Sequence, residues 1–348
     1  MWRKENLEQY SLSKSKGLIL KTIDLHTAGE PLRVIYKGLP EIEASSVLEF
    51  RRKFKEKYDF IRRALMWEPR GHADMYGCVL LPPYREGVEF GVIFMHNEGF
   101  STMCGHGILA VIKLAVECGL VEKEEPLTII NIDTPAGIVK GFAEISEGVL
   151  KKTYFQNVPS FLYLEDGKVK VDGIGEVVFD IAFGGAFYAY VDANSIGLNL
   201  NQDNIKQLID WGMRIKKKIM DSYSIEHPLE KDLSFLYGVI FTDGKTGVGE
   251  VSRNVCIFAD GEVDRSPTGT GVSGRLALHY AKREINKNDE LIIESVIGTR
   301  FKCRIADITV FGDYDAVIPE VEGDAYIVGK SEFIIDETDP LKYGFFLR

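Results

Sequence analysis

One cysteine stands where the backbone would alter its chemistry. Cys104 lies in the segment Met103–Gly107, directly before a run with the apolar pattern of a helix. The start of a helix carries unpaired N–H groups and the positive end of the helix dipole, and both favour a thiolate. The glycines allow close approach of a ligand, and the N–H groups could bind a carboxylate. The pattern predicts a reactive thiol beside an anion site, and a helix start with an unreactive cysteine fits it equally well.

A second segment of this kind lies in the other half of the chain. Thr268-Gly269-Thr270-Gly271 also opens a predicted helix, with Asp264 a short distance before it. Residues 269–274 match the pattern GxGxxG as well. A dinucleotide site needs those glycines directly after a strand, whereas Asp260-Gly261 and Pro267 separate them from the strand-like run 255–258. The spacing therefore disfavours a nicotinamide or flavin site.

Four histidines, His26, His72, His96 and His106, crowd the first half without HxxxH or HExxH spacing. Cys104 and His106 would supply two ligands where a zinc site needs three or four, so we expect no metal site. A Cys–His hydrolase with Cys104 as the nucleophile stays an alternative, because nothing identifies the partner histidine.

Composition narrows the class of protein. The 348 residues carry 42 Lys and Arg against 52 Asp and Glu, which disfavours binding of nucleic acid. No apolar run reaches the ~20 residues that span a bilayer, and we expect neither a membrane segment nor a signal peptide. Five cysteines without a CxxC pair suggest a reducing cytoplasm. We expect four of them to be small buried hydrophobic residues: Cys78, Cys118, Cys256 and Cys303.

Hydrophobic periodicity predicts the elements that position these segments. Strands are expected at 18–24, 32–36, 76–81 and 89–96, with a turn at 26–31. Helices are expected at 45–67, 107–118, 204–223 and from Thr268 to about 282. Residues 182–191 resemble 26–35, with Gly185 in the place of Gly29. The order glycine turn, long helix, strands and helix start thus occurs twice, which predicts an internal duplication with a site between the halves. Chance similarity of two α/β halves is the alternative.

Four segments together resemble the proline racemase family: 24–31, 70–77, 103–107 and 264–271. The resemblance runs from about residue 18 to the C-terminus. It implies an α/β fold of two pseudo-symmetric domains, each a sheet wrapped around a central helix, as in diaminopimelate epimerase. The first domain would comprise 1–182 with 326–348 and carry Cys104, and the second would comprise 183–325 and carry Thr268. The resemblance further implies a homodimer that acts on a small molecule without a cofactor.

The resemblance also implies a reaction. In family racemases two cysteines face opposite sides of the substrate Cα, and Cys104 corresponds to the first. Thr268 stands at the second position, and a threonine hydroxyl is far too weak an acid–base group at neutral pH for two-base racemisation. The branch of the family with this Cys and Thr pair dehydrates trans-3-hydroxy-L-proline to Δ1-pyrroline-2-carboxylate. Thr268 would help the 3-hydroxyl leave, or would only bind substrate.

The remaining site residues follow from the same resemblance. Backbone N–H groups would bind the substrate carboxylate at Gly105, His106, Gly269 and Thr270. Asp264 and the His106 side chain would bind the ring nitrogen. Tyr76 and Phe258 would sandwich the ring, with plain core packing as the alternative. Two other functions stay open: a proline racemase or hydroxyproline 2-epimerase, and a non-catalytic amino-acid-binding protein.

Overall fold

The structure is a computed structural model that describes Ser11 and residues 17–347. The described part of the chain contains four α-helices: α1 (Val47–Met66), α2 (Gly105–Glu117), α3 (Ile205–Ser222) and α4 (Gly269–Ala281). Its strands are β1 (Gly17–Thr27), β2 (Glu30–Lys37), β3 (Tyr76–Leu81), β4 (Phe90–His96), β5 (Phe100–Ser101), β6 (Leu127–Thr134), β7 (Gly137–Ser146), β8 (Val149–Gln156), β9 (Ser160–Val171), β10 (Gly175–Phe183), β11 (Phe187–Asp192), β12 (Leu236–Thr242), β13 (Val251–Phe258), β14 (Glu262–Val263), β15 (Glu290–Glu294), β16 (Arg300–Phe311), β17 (Tyr314–Glu322) and β18 (Ala325–Asp336). None of the helices described is both long and apolar enough to span a membrane.

The order of elements and pairings occurs twice along the chain. β1 and β2 form a hairpin through Gly29, and β10 and β11 form one through Gly185, with φ of +94° and +96°. Such values favour glycine. β2 pairs in parallel with β3 across α1, as β11 does with β12 across α3. α2 follows the short β5, as α4 follows the short β14. The two halves therefore bring one helix start each to corresponding places.

The sheets wrap around α2 and α4. Almost every residue of α2 is buried, and α4 is buried from Gly269 to His279. A helix that is apolar all round packs inside a fold. α2 lies against β1, β7, β8 and β18, and α4 lies against β9, β10, β16 and β17. These contacts confirm the predicted α/β fold with sheets around central helices.

Outer helix α1 forms as its sequence predicts. Ser46 caps it, accepting a hydrogen bond from the Glu49 N–H, and Val47, Phe50 and Phe54 lie on its buried face. Its observed bounds agree with the predicted 45–67 to within two residues. Side-chain capping and an apolar stripe are local signals, so this helix could be read from sequence.

Two details differ from the sequence expectations. The turn at 26–31 is shorter than predicted, because β1 runs to Thr27 and β2 begins at Glu30. Cys118 is exposed, so the expectation that it is buried is wrong: α2 ends at Glu117, which puts Cys118 at the surface. Cys78, Cys256 and Cys303 are buried as expected.

The division into domains stays a prediction. β18 pairs with β1 along its full length, which returns the end of the chain to the first strand. β17 pairs with both β8 and β9, so strands of the two halves are continuous. Of the predicted first domain, residues 1–10, 12–16 and 348 lie outside the described residues.

Candidate active site

The starts of the two central helices meet backbone to backbone. A Cβ built on Gly105 would lie 2.5 Å from the Cα of Gly269, and one built on Gly269 would lie 2.7 Å from the Cα of Gly105. Both distances are far below van der Waals contact, so this approach requires glycine on each side. The positive ends of both helix dipoles and their first backbone N–H groups therefore converge at one place.

A small cavity of about 10 Å³ lies at this junction. That volume is enough for about one water molecule. All nine of the predicted site residues line it: Tyr76, Cys104, Gly105, His106, Phe258, Asp264, Thr268, Gly269 and Thr270. The fold thus brings together residues from both halves of the chain that the sequence places far apart.

Cys104 caps helix α2 with its own thiol. Its Sγ accepts a hydrogen bond from the Gly107 N–H at 3.3 Å and lies 3.1 Å from His106 Nδ1. Burial nevertheless raises the thiol pKa well above its ordinary value; the Gly107 N–H opposes this rise, and the Asp264 charge adds to it. The expected pKa lowering by the helix start is present as a contribution, but removal of the thiolate from water outweighs it.

The imidazole of His106 is a neutral neighbour of that thiol. Burial lowers the pKa of His106 to about 3; the charge of Arg265 lowers it further, and the carbonyl of Pro31 opposes both. A neutral imidazole has one donor and one acceptor nitrogen. Nδ1 faces the sulfur, so the ring can accept a hydrogen bond from the thiol in one tautomer and donate one to the thiolate in the other. Thr27 Oγ1 donates to the His106 carbonyl at 2.8 Å and holds the backbone of this turn.

Thr268 precedes α4 as Cys104 precedes α2, but its conformation differs. Its φ is +66° and ψ +89°, in a region that β-branched residues rarely adopt. Its side chain makes no capping hydrogen bond, and the buried Oγ1 meets hydrogen-bond geometry with none of the described residues. It nevertheless lies close enough to the Asp264 carboxyl and the Cys256 thiol to lower the pKa of both. A buried hydroxyl without a partner is rare in native proteins. This one lines the cavity, where a ligand would supply the partner.

Asp264 and its neighbours form a tied loop ahead of α4. The Ser266 N–H donates to Asp264 Oδ1 at 2.7 Å. Burial raises the pKa of the Asp264 carboxyl, and the Ser266 and Thr268 side chains oppose that rise. Glu30, from the first half, accepts a hydrogen bond from the Arg265 backbone N–H at 2.7 Å. It also forms an ion pair with the Arg265 side chain at 3.2 Å. The β1–β2 turn therefore fixes the loop of the other half.

Aromatic rings close the opposite wall of the cavity. The rings of Tyr76 and Phe258 lie edge to face with centroids 6.2 Å apart, and Tyr237 stacks on Phe258 at 5.4 Å. The Tyr76 hydroxyl contacts Ser101 Oγ at 2.5 Å and the Tyr237 hydroxyl at 3.4 Å. A ring the size of pyrrolidine does not fit between Tyr76 and Phe258 at this separation. Binding of such a ligand requires the two rings to move apart.

Four further residues line the cavity that the sequence analysis did not single out for the site: Met103, Tyr188, Tyr237 and Cys256. Cys256 had a usable signal, since it lies two residues before Phe258 on β13 and alternate residues of a strand share a face. Tyr237 lies on β12, where consecutive residues are buried, so no alternation marks its direction. No cluster of three or more metal-ligating side chains occurs among the described residues.

Known proteins resemble this chain over nearly its full length. Residues 22–346 match the family model described as proline racemase. Trans-3-hydroxy-L-proline dehydratase of Colwellia psychrerythraea is 49% identical over 340 residues, which are 98% of this chain and 96% of the relative. An enzyme of the same name from Bacillus cereus is 45% identical over 94% of this chain and 98% of its own length.

A solved structure shares the fold. The hydroxyproline epimerase of Agrobacterium vitis, with bound trans-4-hydroxy-L-proline, superposes with a TM-score of 0.89 at 30% sequence identity. The match covers 94% of this chain and 96% of the epimerase. Similarity in both sequence and structure thus extends over nearly the whole chain.

Proposed function

The chain belongs to the proline racemase family, and from that premise we propose that it dehydrates trans-3-hydroxy-L-proline to Δ1-pyrroline-2-carboxylate without a cofactor. It is then a hydro-lyase. One observation carries the proposal: the two helix starts that line the cavity bear a thiol, Cys104, on one side and a threonine, Thr268, on the other. The site has one side chain able to serve as a Cα base at this pair of positions.

We propose that Cys104 is the catalytic base. As thiolate it takes the Cα proton, and the electron pair left at Cα expels the 3-hydroxyl, which leaves with a proton as water. The product enamine then tautomerises to the cyclic imine. The substrate carboxylate would be bound by the first backbone N–H groups of α2 and α4, which are those of Gly105, His106, Gly269 and Thr270. These groups would also stabilise the negative charge that spreads onto the carboxylate.

The other predicted residues take supporting roles in this proposal. Asp264 and the His106 side chain would bind the ring nitrogen, and Tyr76 and Phe258 would pack on the ring. The unpartnered Oγ1 of Thr268 would hydrogen-bond to the bound substrate. Each role is compatible with the position of the residue on the cavity wall.

A racemase or epimerase is the competing function, and the epimerase from Agrobacterium vitis shares the fold. Inversion at Cα needs a proton donor on the face opposite the base. In this chain Thr268 stands at that place, and its hydroxyl does not exchange a proton with carbon at a useful rate near neutral pH. Dehydration needs no such second group, so Thr268 favours it.

One incubation tests the proposal. Purified protein is mixed with trans-3-hydroxy-L-proline without added cofactor or metal, and the cyclic imine is followed. L-proline and trans-4-hydroxy-L-proline run in parallel and are followed by optical rotation. We expect imine from the 3-hydroxy substrate alone, abolished in Cys104→Ser. Rotation change without imine would instead identify a racemase or epimerase, and no change with any of the three would refute both.

We further propose that the protein works as a homodimer in a reducing cytoplasm. The family resemblance supports the dimer. Five free cysteines, with no disulfide among the described residues, support the compartment. Light scattering of the purified protein measures its mass in solution, and a monomer would contradict the first part.

A further inference from the structure

The stereochemistry of the proposed substrate limits which residues can reach its leaving group. At Cα of an L-proline the hydrogen and the carboxylate point to opposite ring faces. In the trans-3-hydroxy isomer the hydroxyl is also opposite to the carboxylate. The Cα hydrogen and the 3-hydroxyl therefore share one face. The residue that removes that hydrogen therefore faces the leaving hydroxyl as well. This inference rests on the proposed function, because it takes trans-3-hydroxy-L-proline as the substrate.

Besides the His106 imidazole, two side chains from the first half of the chain that line the cavity carry an exchangeable proton. One is the thiol of Cys104, whose Sγ lies 3.1 Å from His106 Nδ1. The other is the hydroxyl of Tyr76, which is tied to Ser101 and Tyr237. Burial raises the pKa of the Tyr76 phenol, already near 10 in water, well above that value. Burial raises the pKa of the Cys104 thiol as well, so position decides between the two groups: the thiol has just received the Cα proton and is therefore the better placed donor.

Thr268 lies on the other side of the junction. It precedes α4, whereas Cys104 precedes α2, and the two helix starts meet at Gly105 and Gly269. A base on α2 that faces the Cα hydrogen leaves Thr268 facing the ring surface that bears neither the hydrogen nor the 3-hydroxyl. From there the Thr268 Oγ1 can bind the substrate. In this arrangement the substrate ring would separate it from the departing oxygen.

We propose that the elimination is syn, with Cys104 taking the Cα proton and returning it to the departing 3-hydroxyl, while Thr268 takes part in neither transfer. The thiolate removes the proton and becomes S–H. The former C–H electron pair forms the Cα–Cβ double bond, and the C3–O pair leaves with oxygen. That oxygen takes the proton from S–H, which gives enamine and water and regenerates the thiolate. No proton from solvent is needed within the cycle.

His106 is a positioning residue in this cycle. Its Nδ1 lies 3.1 Å from Cys104 Sγ, and this contact fixes the position of the sulfur, while the S–H proton of the cycle points to the substrate. With a pKa lowered by burial to about 3, the ring does not compete as the acid.

A leaving-group comparison tests the proposal. Trans-3-fluoro-L-proline gives the same imine, but fluoride leaves with little help from an acid, whereas hydroxide needs a proton. The ratio of kcat for the hydroxy substrate to kcat for the fluoro substrate thus reports proton donation alone. It is measured in wild type, Thr268→Val and Tyr76→Phe. Partial misfolding lowers both rates equally and leaves the ratio unchanged.

We expect both variants to keep the wild-type ratio within about threefold, even where each rate falls, since a general acid contributes about 10²–10⁴-fold. A ratio that collapses by about 10²-fold in Thr268→Val would make Thr268 the acid, and the same collapse in Tyr76→Phe would make it Tyr76. Either result overturns the inference.

A second arm uses wild type alone, so it does not depend on the folding of a variant. In cis-3-hydroxy-L-proline the hydroxyl lies on the Thr268 side, and we expect less than about 1% of the imine rate seen with the trans isomer, from the size of a general-acid contribution. A comparable rate would overturn the syn course. Failure of the wild type to form imine from the trans isomer would instead refute the proposed function itself.

Discussion

Replacing Gly105 with alanine should separate the two helix starts. The added Cβ would lie 2.5 Å from Gly269 Cα, 2.9 Å from its carbonyl carbon and 3.1 Å from Phe155 Cζ. Ordinary contact begins near 3.4 Å, so one backbone must retreat by about 0.9 Å. Overpacking of this kind costs about 1–3 kcal/mol of unfolding free energy. A shift of about 1 Å in groups that position a substrate lowers activity by about 10²-fold.

Thermal unfolding and kcat/KM for imine formation measure the two effects of Gly105→Ala. We expect a melting temperature lower by several degrees and kcat/KM lower by about 10²-fold. Gly329→Ala is the matched control, because a Cβ there meets nothing within 4 Å and the backbone is not left-handed. A Gly105→Ala protein as active and as stable as Gly329→Ala would refute the claim that the junction of the helix starts positions the substrate.

Three further predictions follow from the site. Because burial raises the pKa of the Cys104 thiol above its ordinary value, the thiolate fraction grows with pH, and kcat/KM should still be rising at about pH 8.5, where an ordinary thiol is half ionised. A plateau well below that pH would contradict this. Thr268→Cys should acquire epimerisation of trans-3-hydroxy-L-proline, detected by chiral chromatography of recovered substrate; no epimer, with dehydration intact, would show that residue 268 does not face Cα. Iodoacetamide should alkylate exposed Cys118 first, without loss of activity. Peptide mass mapping locates the alkylated cysteine, and Cys118→Ser is the control.

Local sequence signals were enough to place the elements that carry the site. The helix starts at Cys104 and Thr268 could be predicted because glycines followed by apolar runs mark them, and the hairpins through Gly29 and Gly185 because a left-handed turn needs glycine. The resemblance to a family then named nine residues, and the fold brings all nine to one cavity.

The thiol pKa could not be read from sequence in the same way. The segment around Cys104 predicts a helix start that favours thiolate, and the Gly107 N–H does contribute in that direction. Burial has the larger effect on the thiol pKa. It depends on the strands and loops from both halves that surround the thiol, which the local sequence does not reveal. The left-handed backbone of Thr268 could not be predicted from the sequence either, because local propensity disfavours this conformation and the surrounding fold imposes it.

The stereochemical fate of unreacted substrate tests the central claim most directly. Trans-3-hydroxy-L-proline is incubated with wild type to about half conversion in D2O, and the imine and the remaining substrate are separated on a chiral column. A site with a thiol at only one of its two helix starts predicts imine together with remaining substrate of unchanged L configuration. Accumulation of cis-3-hydroxy-D-proline, deuterated at Cα, would show that a second group protonates the opposite face and would contradict the account.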